Sequence, residues 1–310
     1  MVNIDELAPI ALFVYNRPEH TKRTIDALKN NTLANQSELF IFSDWAKNDE
    51  NIKDVETVRE YLKTITGFKK ITIIEREYNW GLAQSIIDGV TNIINKYNKI
   101  IVVEDDLLTS PYFLYFMNDA LSFYKDKAKV WHISGWNYPI DSAELGEFFF
   151  WNTMNCWGWA TWKSRWENFE KNPERLIKEW SEVQIKQFDL DNSGIFWSQI
   201  LANMEGKIDT WAIFWYATIF EHNGLCLNPT QTFVKNFGHD GTGTNCTKEN
   251  TYLEGELNLK RINIRSNEIF SSKEATALIR NYYNNTISRD VLRNLIKKIR
   301  ISIGRKLGRK

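Results

Sequence analysis

Three acids stand side by side at Glu104-Asp105-Asp106, directly behind the apolar run Ile100-Ile101-Val102-Val103. Adjacent carboxylates repel one another and are costly to hold together unless something cationic joins them. Hard oxygen ligands of this kind suit Mg2+ or Mn2+, which in turn can hold a diphosphate. The competing reading is a solvated acidic turn. Position favours the metal, because a run with no polar residue on either face suits a strand covered on both sides. In open α/β sheets ligands bind outside the carboxyl ends of such strands. Two more residues could serve a nucleotide there. Arg17 can meet phosphate, or simply form a surface ion pair; Asp44 can accept hydrogen bonds from a base or ribose, or simply close a turn.

The elements that must position these residues follow from the pattern of apolar side chains. Ala8–Tyr15 reads as a strand, Asn16-Arg17-Pro18-Glu19 as a turn, and His20–Lys29 as a helix. Glu38–Asp44 is a second strand, Ile52–Ile65 a helix, Lys70–Glu75 a third strand. Asn79-Trp80-Gly81-Leu82 leads into a helix over Ala83–Lys96, and Lys99–Glu104 is the fourth strand. This alternation predicts an α/β fold with a mostly parallel sheet flanked by helices. The strand ends then bring Tyr15-Asn16-Arg17, Ser43-Asp44, Asn79-Trp80-Gly81 and Glu104-Asp105-Asp106 to one edge. No glycine-rich fingerprint follows the first strand and there is no Walker loop, so NAD enzymes and P-loop kinases fit poorly.

The chain has 310 residues, 43% hydrophobic, enough for a sizeable core in one large or two small domains. Formal net charge is zero, which gives no argument for a nucleic-acid partner. Cys156, Cys226 and Cys246 show no metal-ligand spacing, and so sparse a set fits a reducing, cytoplasmic compartment. The amino-terminal stretch is acidic and resembles no signal peptide, and no stretch is long and apolar enough to cross a bilayer. Thirteen tryptophans are present and cluster between Trp131 and Trp215. An aromatic-rich half attached to a nucleotide-type half points to sugars, although most buried tryptophans are core.

Four stretches carry a resemblance to a known family: Pro9–Arg17; Ile101–Leu107 followed by Ser110–Phe116; Val130–Asn137; and Trp157-Gly158-Trp159-Ala160-Thr161-Trp162 with Trp166. In this order and spacing they resemble glycosyltransferases of the GT-A fold, above all N-acetylglucosaminyltransferase I and the bacterial sugar transferases grouped with family 2. The acidic stretch is then the family's variant DXD motif. The resemblance implies that Asp106 coordinates the metal, that Glu104 and Asp105 bind the donor sugar and ribose, that Arg17 lies by the diphosphate, and that Asp44 contacts the base. Tyr15, Asn16, Asn79 and Gly81 fall at the same donor edge. The metal acts as a Lewis acid on the departing nucleoside diphosphate. Asn79–Leu82 looks more like the bacterial enzymes than the Golgi one, so this stretch does not select the sugar nucleotide; the resemblance as a whole leads us to expect a UDP-sugar donor and a role in bacterial surface polysaccharide synthesis.

The second half is expected to build the acceptor side. Trp136 and Asn137, just past another strand end, are acceptor candidates, and Trp157 and Trp159 resemble the family's aromatic loop; each tryptophan competes with a plain core role. An inverting transferase needs a general base. Asp189 and Asp191 fall in a polar turn and read as solvated. Asp209 precedes a strongly apolar helix, where it reads equally as a helix cap; the resembling bacterial enzymes carry their catalytic base at this point, which favours Asp209 over Glu205 or Asp191. Lys235–Asn245 is a glycine-rich loop, and by the resemblance His239 is a candidate metal ligand against the ordinary reading of an exposed histidine. From Ser288 to Lys310, one apolar helical stripe with Lys and Arg around it suits an anionic membrane surface or a docked terminal helix.

These readings divide the chain into a GT-A domain over 1–245 (nucleotide-sugar half 1–107, acceptor half 108–245) and an extension over 246–310. The expected activity is metal-dependent transfer of a hexosyl or N-acetylhexosaminyl group from a nucleoside diphosphate sugar to a glycan or lipid-linked glycan. The expected location is cytoplasmic, peripheral to the inner face of the membrane. A sugar nucleotidyltransferase would want a glycine-rich, basic loop after the first strand, which Asn16-Arg17-Pro18 is not. A non-catalytic glycan-binding protein on the same fold would not need Asp106 and Arg17.

Overall fold

The computed structural model describes residues 3–141, 144–241 and 255–285. The first hundred residues alternate as the periodicity predicts: β1 (Ile10–Val14), α1 (Pro18–Lys29), β2 (Glu38–Ser43), α2 (Ile52–Leu62), β3 (Lys70–Glu75), α3 (Leu82–Tyr97) and β4 (Lys99–Glu104). Ile100, Ile101, Val102 and Val103 of β4 are at most 1% exposed. Burial of each such side chain contributes roughly 1.5–3 kcal/mol, which is why this strand carries no polar alternation. Helix α1 starts at Pro18 rather than His20, since the fixed φ of proline already suits a first helical turn.

The chain continues through β5 (Leu107–Thr109), α4 (Phe113–Phe123), β6 (Val130–Ser134), β7 (Phe148–Trp151), β8 (Trp159–Trp162), α5 (Lys163–Trp166), α6 (Pro173–Glu179), α7 (Glu182–Phe188), α8 (Trp197–Met204), α9 (Ala212–Glu221), β9 (Leu225–Pro229) and β10 (Val234–Asn236). Eight strands form one sheet in the order β3-β2-β1-β4-β8-β6-β9-β7. All but β8 and β7 share one direction. Strands from both halves of the sequence meet at the β4–β8 pair, so one hydrogen-bonded sheet runs through the molecule.

Two features bear on the site. β10 pairs antiparallel with β5, Val234 opposite Thr109 and Asn236 opposite Leu107. The residue before β5 is Asp106, so the chain leaving β10 passes beside it. The aromatic core fills the part of the sheet built after β5: Trp159 stacks on Trp211 with ring centres 5.1 Å apart, and Trp166 lies 5.0 Å from Trp215. Residues 255–285 fold back on this body, where Arg265 pairs with the buried Asp119 at 2.6 Å and Ile264, Ala275 and Ile279 are fully buried. No helix among the described residues is long and apolar enough to cross a membrane. The basic helix expected over 288–310 lies outside the described residues.

Candidate active site

Parallel pairing brings the predicted residues to one edge. The register sets Val14 opposite Ser43 and Phe13 opposite Glu104, so Tyr15 and Asp44 leave their strands at the same level and Asp105 leaves β4 one residue earlier. Arg17 Nη2 donates to Asp105 Oδ1 and, at 3.0 Å, to Asp106 Oδ2. Asp105 Oδ2 also accepts the Tyr15 N–H at 3.4 Å. Arg17 Nη1 is buried and has no hydrogen-bond partner among the described residues. Burial alone would weaken the Arg17 charge, but Asp105 and Asp106 outweigh it and hold the guanidinium firmly protonated. Burial, with Asp106 and Asp105 beside it, pushes the Glu104 carboxyl well above the usual carboxylate range. One guanidinium thus faces three carboxyl groups, and the cluster lacks positive charge.

Asp44 and Asn79 meet, but in a way the sequence did not suggest. Asp44 accepts from Trp45 N at 3.0 Å, Trp80 N at 2.8 Å, Gly81 N at 2.9 Å and Asn79 Nδ2 at 3.1 Å. Four donors saturate a carboxylate, so Asp44 holds the 79–81 loop in place. Gly81 takes φ +74°, a conformation that favours glycine, at the start of α3. The Tyr15 hydroxyl is held by Asn51 and the Lys47 N–H, at 3.0 and 2.9 Å. Asn16 lies between these anchors, in the turn from β1 to Arg17.

Sequence reading missed Thr24 and His20. Thr24 Oγ1 donates to Asp105 O at 2.8 Å, and His20 stacks on Phe237 with ring centres 5.1 Å apart while its Nε2 lies 3.1 Å from Asp240 Oδ2. Arg17, His20 and Thr24 recur every three or four residues, so their shared helix face was available as a signal.

The chain leaving β10 closes over Asp106. Phe237 N donates to Asp106 O at 3.0 Å. A Cβ on Gly238 would lie 2.2 Å from Asp106 Oδ2, so only glycine fits against this carboxylate. His239 follows, its ring 5.6 Å from that of Trp157. Among the described residues no three His, Cys, Asp or Glu side chains converge to cage a metal. A hard divalent ion anchored by one carboxylate takes its other oxygens from ligand phosphates and water. The donor set, oxygen-rich and short of positive charge, therefore fits an ion that arrives with a diphosphate.

Beyond Trp157 opens an aromatic cleft of about 160 Å³, lined by Trp136, Tyr138, Trp157, Asn155 and Ile213 among others. Trp136 and Trp157 meet edge to face at 4.7 Å. Two of the four acceptor candidates thus line one cleft. Asn137 faces a separate polar cavity with Thr230 and Asn258, and Trp159 is fully buried between His132 and Trp211.

Among the described residues no acid lines the cleft. Asp209 lies just ahead of the cleft residues Ala212 and Ile213; its side chain is 69% exposed and pairs with Lys171. Helix α9 begins at Ala212 with Trp211 in the cap position, so Asp209 does not cap it. Glu205 pairs with Lys207, and Asp191 with Arg280 at 2.7 Å. Asp189, expected in water, is buried and accepts the N–H groups of Gly194, Phe196 and Trp197 at 2.7–3.0 Å. A turn whose backbone donors point inward needs such a carboxylate, and its polar sequence concealed that.

No protein-family model matches the sequence, and no curated sequence matches it. Among solved structures the chain is similar to the mannosyltransferase PcManGT from Pyrobaculum calidifontis, in complex with GDP-Man and Mn2+. That similarity has a TM-score of 0.41 and 11% identity over 72% of this chain and 71% of that one. It is also similar to S. aureus TarS residues 1–349, with a TM-score of 0.34 and 11% identity over 49% of this chain and 47% of that one. For the same TarS segment in complex with UDP, the TM-score is 0.29 and identity 12%, over 40% of this chain and 34% of that one.

Proposed function

We propose that this protein is a GT-A glycosyltransferase that moves a sugar from a nucleoside diphosphate sugar, a UDP-sugar in our reading, to a hydroxyl of a glycan or lipid-linked glycan. The observation that carries the reading is Arg17. A half-buried guanidinium whose Nη1 is buried and has no partner among the described residues, set among carboxylates at the carboxyl edge of a parallel sheet, is built for an anion and a cation together.

In this reading Arg17 Nη1 donates to a diphosphate oxygen, and Thr24 and Tyr15 hold Asp105 so that the guanidinium keeps its direction. Asp44 fixes the 79–81 loop, whose residues face the nucleoside. Asp106, with His239 as a second candidate, would hold a Mn2+ or Mg2+ ion. When bound, that ion supplies charge stabilisation to the departing diphosphate. Trp136 and Trp157 stack the acceptor sugar, whose apolar ring face matches theirs. Asp209 accepts the proton of the acceptor hydroxyl as that oxygen displaces the nucleoside diphosphate from the anomeric carbon in one step, and this single displacement inverts the anomeric configuration. The apolar stripe of residues 288–310, with the Lys and Arg around it, would bring the enzyme to the inner face of an anionic membrane.

A thermal-shift screen of nucleoside diphosphate sugars with and without Mn2+ tests the reading. One nucleotide family should raise Tm, more with the metal than without. Absence of any shift overturns it. For the base, Asp209→Asn should cut transfer by roughly 10²–10⁴-fold with donor binding unchanged. Retained transfer in that variant removes Asp209 from the role.

A further inference from the structure

Asn155 stands in the wall of the aromatic cleft. The residue is 8% exposed, and its Nδ2 is buried with no hydrogen-bond partner among the described residues. Its backbone is pinned from behind: His132 Nε2 lies 3.0 Å from Asn155 O, and His132 Nδ1 accepts from Trp215 Nε1 at 3.2 Å. A buried donor without a partner carries a desolvation cost that a ligand acceptor can recover.

The rest of the wall restricts what that ligand is. Met154, Phe196 and Ile213 line the cleft beside the tryptophan pair. Its volume of about 160 Å³ is close to the roughly 150 Å³ of an apolar cavity that holds benzene, so one ring-sized group enters. A plain hexose carries hydroxyls in every direction, and most would be left unsatisfied against these walls. An acetamido group instead offers a methyl to the apolar wall and one carbonyl oxygen to one donor. Gln199, whose Nε2 is already used by Ile195 O at 3.0 Å, keeps Oε1 as an acceptor for the acetamido N–H.

We propose that the cleft binds a 2-acetamido sugar, with Asn155 Nδ2 donating to the acetamido carbonyl and setting the selectivity. The inference rests on the cleft being the acceptor side of the proposed transferase, but binding of the sugar itself needs no donor.

The test is binding of methyl glycosides of N-acetylglucosamine, N-acetylgalactosamine, glucose and galactose to the full chain without nucleotide, measured by titration in NMR. Both acetamido glycosides should bind about 10-fold or more tightly than their parents. Asn155→Leu should erase that difference while leaving weak binding of the parent sugars unchanged. Asn155→Asp, which keeps the size and removes the donor, should do the same and carries the comparison if the leucine variant does not fold. Equal affinities in the wild type, no binding of any glycoside, or selectivity retained in Asn155→Asp overturns the proposal. The nucleotide-sugar screen on the same samples separates the two readings. Acetamido selectivity without nucleotide-sugar binding removes the transferase and keeps this site; nucleotide-sugar binding without acetamido selectivity does the reverse.

Discussion

The carboxylate edge and the aromatic half are built on opposite principles. At the edge, each polar residue has a position dictated by a strand end. Arg17, Asp105 and Asp106 touch because β1 and β4 run parallel and end within one residue of each other. In the aromatic half many tryptophans are chemically alike, and only packing separates those that face a cleft from those that hold the core. Trp157 lines the cleft; Trp159, two residues on, is fully buried. Placement by backbone is legible from one sequence, whereas placement by packing is not.

The largest effect should come from the edge. Asp106→Ala is expected to cut transfer by roughly 10²–10³-fold or more and to abolish the metal-dependent part of donor binding, with the fold retained. Gly238→Ala should approach the same phenotype without touching an acid, because its Cβ would lie 2.2 Å from Asp106 Oδ2. Isothermal titration with donor and Mn2+ checks both. If Gly238→Ala binds and transfers normally, the carboxylate is not confined as described and the contrast with the soft aromatic half weakens.

Within the aromatic half, two neighbouring substitutions should behave differently. Trp159→Ala removes a fully buried ring and should cost about 3–5 kcal/mol of stability. Trp157→Ala should leave Tm nearly unchanged and raise the KM for acceptor. Chemical denaturation and acceptor titration of both variants provide the check. Equal loss of stability would mean that the cleft wall is core as well.

A smaller effect concerns pH. Burial lowers the pKa of His132 to about 3. The ring is held neutral, with Nε2–H directed at Asn155 O and Nδ1 accepting from Trp215. An unfolded histidine titrates near 6.5, so below that pH the unfolded chain binds a proton that the folded chain refuses. Stability from this group is complete above about pH 6.5 and is lost as pH falls toward 3, at about 1.4 kcal/mol per pH unit. His132→Gln should flatten the fall in Tm between pH 6.5 and 4. An unchanged slope would show that other groups govern acid stability.

The smallest effect on the site is expected from the tail. Removing residues 288–310 should leave nucleotide binding intact and weaken co-sedimentation with anionic vesicles, the more so at low salt. Equal sedimentation of both forms removes the membrane reading.

What could be read from the sequence follows the same division. The four strands, their helices and the gathering of Arg17, Asp44, Asn79 and Glu104–Asp106 at one edge were legible, because apolar runs and their ends fix them. The saturation of Asp44 was not legible, since its partners Trp80 and Gly81 donate from the backbone and no residue type announces that. Nor was Asn155, an ordinary amide between Met154 and Cys156 whose meaning comes only from the rings around it. Asp189 misled because its turn is polar in composition while its backbone donors face inward.

The short ribbon of β5 and β10 carries one more consequence. Thr109 and Val234 lie opposite each other, so everything between them departs from the carboxylate edge and returns to the same spot. A segment whose two ends already meet can be exchanged for another of different length without the flanking chain having to travel. A replacement must supply a strand to cover β4 as β8 does, and must renew side-chain ties such as Asn118 Oδ1 accepting from Ala8 N and Asp119 pairing with Arg265. On this layout, the segment between Thr109 and Val234 is an insertion whose two ends share one point of attachment, so a change in its length leaves the β5–β10 register as it is.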